Sequence, residues 1–479
     1  MIQAKMLIGG ALVESESGRW LDCINPATEE VMGRIPRATA ADVEKGVAAA
    51  EKAFPAWAGM SMDERAAYLN KLSDRLTARA EEIAGIEAMD TGYTIKRVWG
   101  DVKDAAWFLK FYAGLGHEIK GESIPSTAGN YHFTVREPYG VVGKIVPFNH
   151  PIMFASRIGA PLIAGNTVVF KPPREASLSS CLFAEICQEV MPPGVVNIIT
   201  GAGSEVGDAL VRHPRIKRIG FIGAKETGLQ IQKAAADGAV KFVTLELGGK
   251  NPMIVFPDAD LKKALPAAIS GMAFTWSGQS CGSLTRLFLH DSIYDASVKQ
   301  LAGIVDAMKV GNPLDESNDM GPIIHKAQYE NVLYYIAVGK EEGARLVAGG
   351  IKPPGDQFNK GYWVRPTVFA DVTPSMRIFR EEIFGPVLSI IRWTDPAEVI
   401  EMANSVEYGL TASVWSENLR TAFNTVRRIR SGYCWINGVA THYRNAPFGG
   451  MKNSGIGREE GLDEIISYTE CKTINAILD

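Results

Sequence analysis

The chain has 479 residues, of which 46% are hydrophobic and 22% charged, and 50 basic against 54 acidic side chains leave a net charge of −4. A chain this apolar can bury enough surface to offset the entropy lost on ordering, so disorder is excluded. The length predicts roughly three domains at about 150 residues each. Because the charge is nearly balanced and no dense basic patch occurs, nucleic acid is not expected as a partner.

Cysteine and histidine usage indicates the compartment. The cysteines are too few for a disulfide scaffold, so we expect thiols in a reducing compartment, with the cytoplasm as the default. They are Cys23, Cys181, Cys187, Cys281, Cys434 and Cys471. The seven histidines show no zinc-type spacing, so no metal site is predicted. The N-terminus lacks a signal-peptide pattern, and no run of about 18 apolar residues predicts a membrane span.

Two helices are predicted early in the chain. Thr39 can cap the first, whose apolar face repeats at helical spacing. That face carries Val43, Val47, Ala50 and Phe54. Ser61 and Glu64 form a capping box for the second, ahead of Leu69, Leu72 and Leu76.

Short apolar runs bounded by Gly and Pro follow, separated by helix-length segments. They span residues 140–147, 165–171, 194–200, 218–223 and 251–256. Runs that are apolar on both faces are typical of buried parallel strands in an α/β sheet. Since the pattern restarts near residue 250, we predict two α/β domains.

Segments 122–138 and 463–479 have a different pattern. They mix apolar and polar residues in the manner of half-exposed strands. Such strands need a partner edge, and another subunit could supply it.

Three motifs carry candidate chemistry. Cys281 lies among small polar neighbours that leave its sulfur approachable. Buried structural thiols are the expectation for Cys181, Cys187, Cys434 and Cys471. Glu246 precedes two glycines whose tight path could aim it into a cleft as a general base; a solvated strand-end Glu is the alternative. Asn149 lies in a proline-flanked turn after a strand and could stabilise an oxyanion, or be an ordinary turn Asn.

Two glycine-containing turns could hold a pyrophosphate at a helix N-terminus. Residues 201–207 approximate a dinucleotide fingerprint, but the last glycine comes one residue late. Residues 223–228 also follow a strand and open a helix, and we favour this second turn.

Together the motifs resemble the aldehyde dehydrogenase superfamily over nearly the whole chain. The matching segments are 147–149, 165–172, 221–223, 246–250, 278–281, 381–387, 408–410 and 447–450, followed by Lys452, Ser454 and Gly455. The resemblance implies two parallel-sheet α/β domains, one for the cofactor and one for catalysis, plus a small β oligomerisation element. It implies an NAD(P)-binding domain over 1–121 and 139–248, a catalytic domain over 249–450, and oligomerisation strands over 122–138 and 463–479 of a homodimer or homotetramer.

The resemblance also implies a reaction. Cys281 would attack a small-molecule aldehyde, with the oxyanion held by the Asn149 amide and the Cys281 backbone N–H. Hydride would pass to NAD or NADP, leaving a thioester that water activated by Glu246 hydrolyses to the acid.

Further site residues follow from the same resemblance. Lys171 would contact the adenosine ribose, and Gly223 and Ala224 the pyrophosphate. Glu382 and Phe384 would hold the nicotinamide ribose and ring. The other expected cofactor contacts are Val146, Pro147, Phe148, Arg174 and Leu247, and the expected substrate-pocket residues are His150 and Phe448.

The sequence departs from the usual family pattern at three positions. Arg174 stands where Glu commonly binds both ribose hydroxyls, with Glu175 one step later. Ala224 replaces a usual Ser, and His150 stands where an aromatic residue often lines the substrate entrance. Arg174 removes a repulsion toward a 2′-phosphate, so NADP use is expected unless Arg174 points to solvent.

Other reactions remain open at this point. A CoA-acylating dehydrogenase would resolve the same thioester with a thiol, but that branch generally lacks the base, and Glu246 therefore favours hydrolysis. A thiol hydrolase would need a His close to Cys281 in space. A non-catalytic NAD-binding protein would not need Cys281, Glu246 and Asn149 together.

Overall fold

The computed structural model describes residues 1–125 and 127–478. Ser126 and Asp479, which fall in the two predicted oligomerisation segments, lie outside the described residues. Within the described residues, none of the helices has the length and hydropathy needed to cross a membrane.

The helices and strands alternate along most of the chain. The helices are α1 (Ala40–Ala58), α2 (Met62–Ala78), α3 (Ala80–Thr91), α4 (Ile95–Leu115), α5 (Pro151–Ser156), α6 (Gly159–Ile163), α7 (Leu178–Val190), α8 (Asp208–Arg212), α9 (Lys225–Ala235), α10 (Leu261–Gly271), α11 (Asp291–Ala307), α12 (Lys326–Glu341), α13 (Arg377–Arg380), α14 (Pro396–Asn404), α15 (Leu419–Val426) and α16 (Leu462–Ile466). The strands are β1 (Ile2–Gln3), β2 (Met6–Ile8), β3 (Ala11–Val13), β4 (Trp20–Ile24), β5 (Val31–Pro36), β6 (Ser123–Ile124), β7 (Asn130–Pro138), β8 (Val141–Ile145), β9 (Thr167–Lys171), β10 (Val196–Ile198), β11 (Ile216–Ile222), β12 (Phe242–Glu246), β13 (Pro252–Val255), β14 (Arg286–His290), β15 (Arg345–Ala348), β16 (Thr367–Ala370), β17 (Val387–Trp393), β18 (Tyr408–Gly409), β19 (Thr411–Trp415), β20 (Tyr433–Ile436), β21 (Met451–Lys452), β22 (Gly455–Ile456) and β23 (Thr469–Ile477).

The two predicted early helices are present with their predicted starts. The Asp42 carboxylate accepts from the backbone N–H of Thr39 at 2.9 Å, which fixes the first turn of α1. At the start of α2, Ser61 and Glu64 bond reciprocally as a capping box. Both caps satisfy backbone N–H groups that the first helical turn leaves without intrahelical partners.

The first large sheet has eight strands in the order β22-β12-β11-β8-β9-β10-β2-β3. Its five central strands, β12 to β10 in that order, pair in parallel, whereas β2 and β22 join the edges antiparallel. Apolar clusters cover both faces, one with α2–α4 and α7, the other with α1, α8 and α9. This is a doubly wound sheet, and the strand order reverses between β8 and β11. In such sheets ligands bind at the carboxyl ends of the strands where the order reverses.

The second large sheet has seven strands in the order β15-β16-β17-β14-β13-β19-β20. All of its pairings are parallel except the edge strand β15. Separate clusters of buried apolar side chains cover its two faces. All of its strands lie between Pro252 and Ile436, while β22 returns to the first sheet. The prediction of an α/β fold with two parallel sheets is confirmed.

A third sheet contains β23, β7 and β6. Strands β7 and β23 pair antiparallel from Thr469 opposite Pro138 to Ile477 opposite Asn130. The two segments that we expected to pair with another subunit therefore pair with each other within the chain. The start of the segment 463–479 also differs from a strand, because it lies in α16.

Candidate active site

The candidate catalytic residues lie where the two large sheets meet. Glu246 is the last residue of β12, at the carboxyl edge of the first sheet. Cys281 lies in the loop that leads to the amino end of β14 in the second sheet. The turns that begin at Pro147 and Gly223 follow β8 and β11, the two strands between which the order reverses.

These turns and loops enclose a cavity of about 180 Å³, which we call the motif cavity. It is lined by Pro147, Phe148, Asn149, Ile222, Gly223, Ala224, Glu246, Gly248, Cys281, Gln328, Glu382 and Phe384. The motif segments 147–149, 221–223, 246–250, 278–281 and 381–387 thus all contribute to one cavity, whereas the segment 165–172 does not. Val146 and Leu247 are buried beside it without lining it.

The Cys281 loop has a constrained backbone. Ala273 and Ser277 adopt left-handed conformations at φ of 59° and 52°, which cost energy for residues other than glycine. Asn251 anchors the loop, because its side-chain amide donates to the Cys281 carbonyl at 2.8 Å and to the Ser283 carbonyl at 2.9 Å. The loop is therefore held from beneath by a side chain that the sequence motifs did not single out.

Glu246 and Cys281 line the same cavity and affect each other's protonation. Burial of the Glu246 carboxyl, followed by the nearby Glu459 carboxylate, raises its pKa well above the ordinary value. Loss of solvent around the sulfur, followed by the charge of Glu246, raises the pKa of the Cys281 thiol. Oε1 of Glu246 is buried without a hydrogen-bond partner among the described residues. Both groups therefore hold their protons more tightly than an ordinary carboxyl or thiol does, and Oε1 of Glu246 remains available to water.

Asn149 is 1% exposed and lies in the turn between β8 and α5. Its side-chain Oδ1 is buried, and no hydrogen-bond partner for it exists within the described part of the chain. A buried amide that the protein does not satisfy is costly unless a bound molecule or water completes its hydrogen bonds.

Glu382 is held against a glycine turn. Its Oε1 accepts from the backbone N–H of Gly249 at 2.9 Å, and burial raises the pKa of its carboxyl to about 7. A Cβ on Gly248 would lie 1.9 Å from Oε2 of Glu382, so a larger residue there would displace the carboxyl. Phe384, two residues on, has a φ of 54° and its ring centroid lies 5.8 Å from that of Phe148.

Lys171 and Arg174 lie outside the motif cavity. The buried Lys171 amine donates to the Pro172 carbonyl at 3.0 Å, and burial lowers its pKa to about 8. The side chain of Arg174 is exposed and lies 3.7 Å from Glu175. A groove between α8 and α9 opens nearby. Gly207 lines it, and a Cβ built on Gly207 would lie 3.8 Å from Cδ of Lys171.

A second cavity of about 370 Å³ shares Cys281 and Glu246 with the motif cavity, and we call it the charged cavity. His150 and Phe448, the expected substrate-pocket residues, both line it. Nδ1 of His150 lies 2.7 Å from Oδ2 of Asp101. The other charged or indole-bearing residues that line the charged cavity include Arg97, Asp101, Asp104, Trp107, Arg157, Trp276, His442, Arg444, Glu459 and Glu460.

A buried ion-pair network forms one wall of the charged cavity. Arg157 donates to Glu460 at 2.7 Å, and Nδ1 of His442 lies 2.8 Å from the same carboxylate. Burial alone would raise the pKa of Glu460, but His442 and Arg157 outweigh it and hold the pKa at about 2. This wall is charge-neutralised and rigid.

Sequence reasoning missed most of this second cavity. Arg97, Asp101 and Asp104 recur at helical spacing on α4, a pattern that normally marks a solvated face. Nothing in that spacing distinguishes a face toward solvent from one toward a cavity. One expectation about the other cysteines is wrong, because Cys434 and Cys471 are exposed rather than buried. They lie on outward-facing positions of β20 and β23.

Comparison with known proteins identifies the family. Residues 12–474 match the model of the aldehyde dehydrogenase family. The chain is 44% identical over 462 residues to the aldehyde dehydrogenase tropH of Talaromyces stipitatus, covering 95% of this chain and 89% of that protein.

Solved structures agree. The NAD⁺ complex of an aldehyde dehydrogenase from Bacillus cereus has a TM-score of 0.97 at 39% identity, covering 100% of this chain and 97% of that one. An NAD-dependent aldehyde dehydrogenase from Sinorhizobium meliloti has a TM-score of 0.96 at 40% identity, covering 99% and 95%. The chain described here therefore belongs to the aldehyde dehydrogenase family.

Proposed function

We propose that the protein oxidises an aldehyde to its carboxylic acid with a nicotinamide cofactor, through a covalent thioester on Cys281. The observation that carries this proposal is that Cys281, Glu246 and Asn149, drawn from three distant segments, line one cavity. A nucleophile, a base and an amide donor in one enclosed space are the minimum set for acyl transfer through a thiol.

The protein's own residues would act in sequence. The Cys281 thiol releases its proton to solvent, and the sulfur attacks the carbonyl carbon. The negative charge that develops on oxygen is stabilised by the Asn149 side-chain amide and the Cys281 backbone N–H. After the hydride leaves, the thioester remains on Cys281. Glu246 then takes a proton from water, which attacks the thioester and releases the acid.

The cofactor site fits the motif cavity. Bound NAD would accept the hydride from the reacting carbon. The turn at Gly223 and Ala224 opens α9, an eleven-residue helix whose N-terminal N–H groups suit a pyrophosphate. The glycine at 248 lets Glu382 approach the backbone, which directs a carboxylate into the cavity for ribose hydroxyls. Pro147, Phe148 and Phe384 add apolar walls suited to the nicotinamide ring.

Cofactor choice depends on the region of Lys171. We propose that Lys171 contacts the adenosine ribose beside the α8–α9 groove and that Arg174 permits NADP as well as NAD. The exposed Arg174 guanidinium has only Glu175 as a carboxylate within 4 Å among the described residues, so it can turn toward a 2′-phosphate. Arg174→Glu should lower kcat/KM for NADP relative to NAD; an unchanged ratio would remove Arg174 from the site.

Two other reactions are less well supported. CoA-dependent acyl transfer would not need the buried carboxylate of Glu246 beside the thiol. A thiol hydrolase would need a free His at Cys281, but His150 and His442, which line the charged cavity, bond Asp101 and Glu460.

We also propose a homodimer or a dimer of dimers built on the third sheet. Within the part of the chain that the structure describes, its outer strand β23 has an unpaired edge, and Tyr131 on β7 and Ile477 on β23 are exposed. Unpaired strand edges favour pairing with another chain. Sedimentation should show a dimer or tetramer, and a monomer at micromolar concentration would contradict this.

The experiment that tests the reaction follows NADH absorbance with NAD and a simple alkanal, with and without CoA. Wild type should form NADH and free acid without CoA, and Cys281→Ala should form less than a few per cent of that NADH. Cys434→Ala, which removes an exposed thiol from β20, is the matched control. Turnover by Cys281→Ala, or strict dependence on CoA, would overturn the proposed reaction.

A further inference from the structure

Three arginines line the charged cavity, and each guanidinium lies over an aromatic ring. The guanidinium carbon of Arg97 lies 3.6 Å from the ring centroid of Trp276, that of Arg157 lies 3.7 Å from Phe108, and that of Arg444 lies 4.4 Å from Trp107. Such stacking holds the planar group in place and leaves its edge N–H groups free to donate.

Among the described residues, Arg157 is the one arginine of the three that has a carboxylate partner. Arg157 pairs with Glu460 at 2.7 Å and lies 3.8 Å from Glu459. Over residues 1–125 and 127–478, Arg97 and Arg444 have no carboxylate within 4 Å and no side-chain hydrogen bond. The Nε of Arg97 is moreover buried without a partner in those ranges, and so is the indole N–H of Trp276 beneath it.

Unsatisfied donors in a cavity are costly until an acceptor enters it. Desolvation lowers the pKa of Arg97, but a guanidinium remains charged at neutral pH. Leaving a half-buried charge unpaired carries a desolvation penalty that a carboxylate ligand would offset. The unpaired N–H groups of Arg97 and Trp276 therefore indicate that a ligand of this cavity carries a hydrogen-bond acceptor, most favourably an anionic one.

The acidic groups of the cavity do not supply that partner. Asp101 is bonded to His150, and Glu459 and Glu460 face Arg157. Asp104 has no ion pair within 4 Å among the described residues. Desolvation and the nearby Asp101 raise the pKa of its carboxyl, and the charges of Arg97 and Arg157 act in the opposite direction.

Two indole rings of the charged cavity already stack against protein cations, which removes a face of each ring from contact with a cationic aldehyde. A cationic aldehyde would need open faces of Trp or Tyr for cation–π contact. Here one face of Trp276 and one face of Trp107 are occupied by the guanidinium groups of Arg97 and Arg444.

We propose that the substrate is an aldehyde carrying a carboxylate at the end remote from the reacting carbonyl, with Arg97 as its main contact and Arg444 as a second. This assignment rests on the proposed oxidation at Cys281, which shares the cavity with both arginines. A carboxylate suits the planar edge of a guanidinium and can accept two parallel hydrogen bonds from it. The indole N–H of Trp276 adds a neutral donor beside the Arg97 group.

The test compares succinic, glutaric and adipic semialdehydes with butanal, pentanal and hexanal, using NAD and the full-length protein. Wild type should favour the best semialdehyde over the alkanal of equal chain length in kcat/KM. In Arg97→Gln that preference should fall about 10- to 100-fold, mainly through KM, because charge-assisted hydrogen bonds are lost. Arg97→Lys should retain part of the preference.

The matched control is Lys96→Gln, which removes the same charge from the neighbouring, exposed position of α4. It should leave the preference unchanged. Arg444→Gln should give a smaller loss. Should Arg97→Gln fail to fold, raising the salt concentration with wild type gives the same test, since kcat/KM should fall for the semialdehydes and not for the alkanals.

The possible results separate the two proposals. Oxidation of alkanals without preference for any semialdehyde, or equal losses for both classes in Arg97→Gln, would overturn the carboxylate assignment and leave the oxidation at Cys281 intact. Failure of wild type to form NADH from any of the six aldehydes would overturn the proposed reaction, and the carboxylate assignment with it.

Discussion

The motif cavity and the charged cavity share Cys281 and Glu246 but are built in different ways. The motif cavity is formed by short turns at strand ends, where glycines and prolines set the backbone. The charged cavity is lined largely by side chains from helix α4 and from the loop around residue 442. The first depends on backbone placement and the second on which charged side chains happen to face inward. We expect the reaction to depend on the first and the choice of aldehyde on the second.

The largest effect should come from the amide donor of the motif cavity. Asn149→Ala removes the proposed oxyanion donor and should lower kcat about 10²- to 10³-fold, as loss of one such donor does in acyl transfer. The affinity for NAD, measured by the quenching of protein fluorescence, should change little. A loss confined to KM for the aldehyde would assign Asn149 to ordinary substrate binding instead.

A smaller effect is expected from the glycine behind Glu382. In Gly248→Ala the new Cβ would collide with the Glu382 carboxyl, 1.9 Å away, and displace it. KM for NAD should rise roughly 10-fold, by the loss of one or two hydrogen bonds to a charged group. Gly303→Ala, at a helical glycine with nothing within 4 Å of its Cβ, is the control and should behave as wild type. Equal KM values in both variants would show that Glu382 does not hold the cofactor.

The pH dependence of Cys281 should shift when its neighbour loses its charge. The Glu246 carboxylate raises the pKa of the thiol, so Glu246→Gln should lower it. Alkylation by iodoacetamide requires the thiolate; the pH at which its rate reaches half-maximum should therefore move down, and the rate at neutral pH should rise several-fold. Glu381→Gln, whose carboxylate bonds Arg377 and Tyr335, should leave the curve in place. A shift to higher pH would mean that Glu246 deprotonates Cys281.

The charged cavity should give the smallest of these effects on the reaction itself. Asp101→Asn keeps the shape of the Asp101 side chain but weakens its hydrogen bond to His150. KM for the aldehyde should therefore rise about threefold, within the range for one hydrogen bond. kcat and KM for NAD should stay close to wild type and provide the internal control. A fall in kcat as large as that of Asn149→Ala would contradict the division between the two cavities.

The contrast between the cavities also explains what the sequence predicts well. The α/β fold follows from the apolar runs at 140–147 and 218–223, because strands buried on both faces read as continuous apolar segments. Their turns carry glycine and proline, which leave a visible pattern, so Glu246 and Asn149 could be proposed from the turns that hold them. Glu382 and Phe384 followed only from the family resemblance, and Gln328 was not anticipated. The hydrogen bond that anchors the Cys281 loop could not be predicted, because Asn251 comes close to the Cys281 carbonyl only in the folded second sheet.

The charged cavity left no comparable pattern. Arg97, Asp101 and Asp104 lie at helical spacing next to exposed lysines, so this side of α4 has the pattern of a solvated face. Only packing against the Cys281 loop, with Trp276 beneath Arg97, turns that face into a cavity wall. The pairing of β7 with β23 likewise joins segments more than 300 residues apart, which local patterns do not specify.

The most direct test of the central claim is rapid mixing of Glu246→Gln with NAD and excess aldehyde. If Cys281 forms the thioester and Glu246 activates water, one equivalent of NADH should appear in a burst, followed by a slow steady state. Intact-mass analysis during the slow phase should find the acyl group on the protein, and no adduct on Cys281→Ala. The absence of a burst while NAD still binds would contradict the account, because Glu246 would then act before hydride transfer.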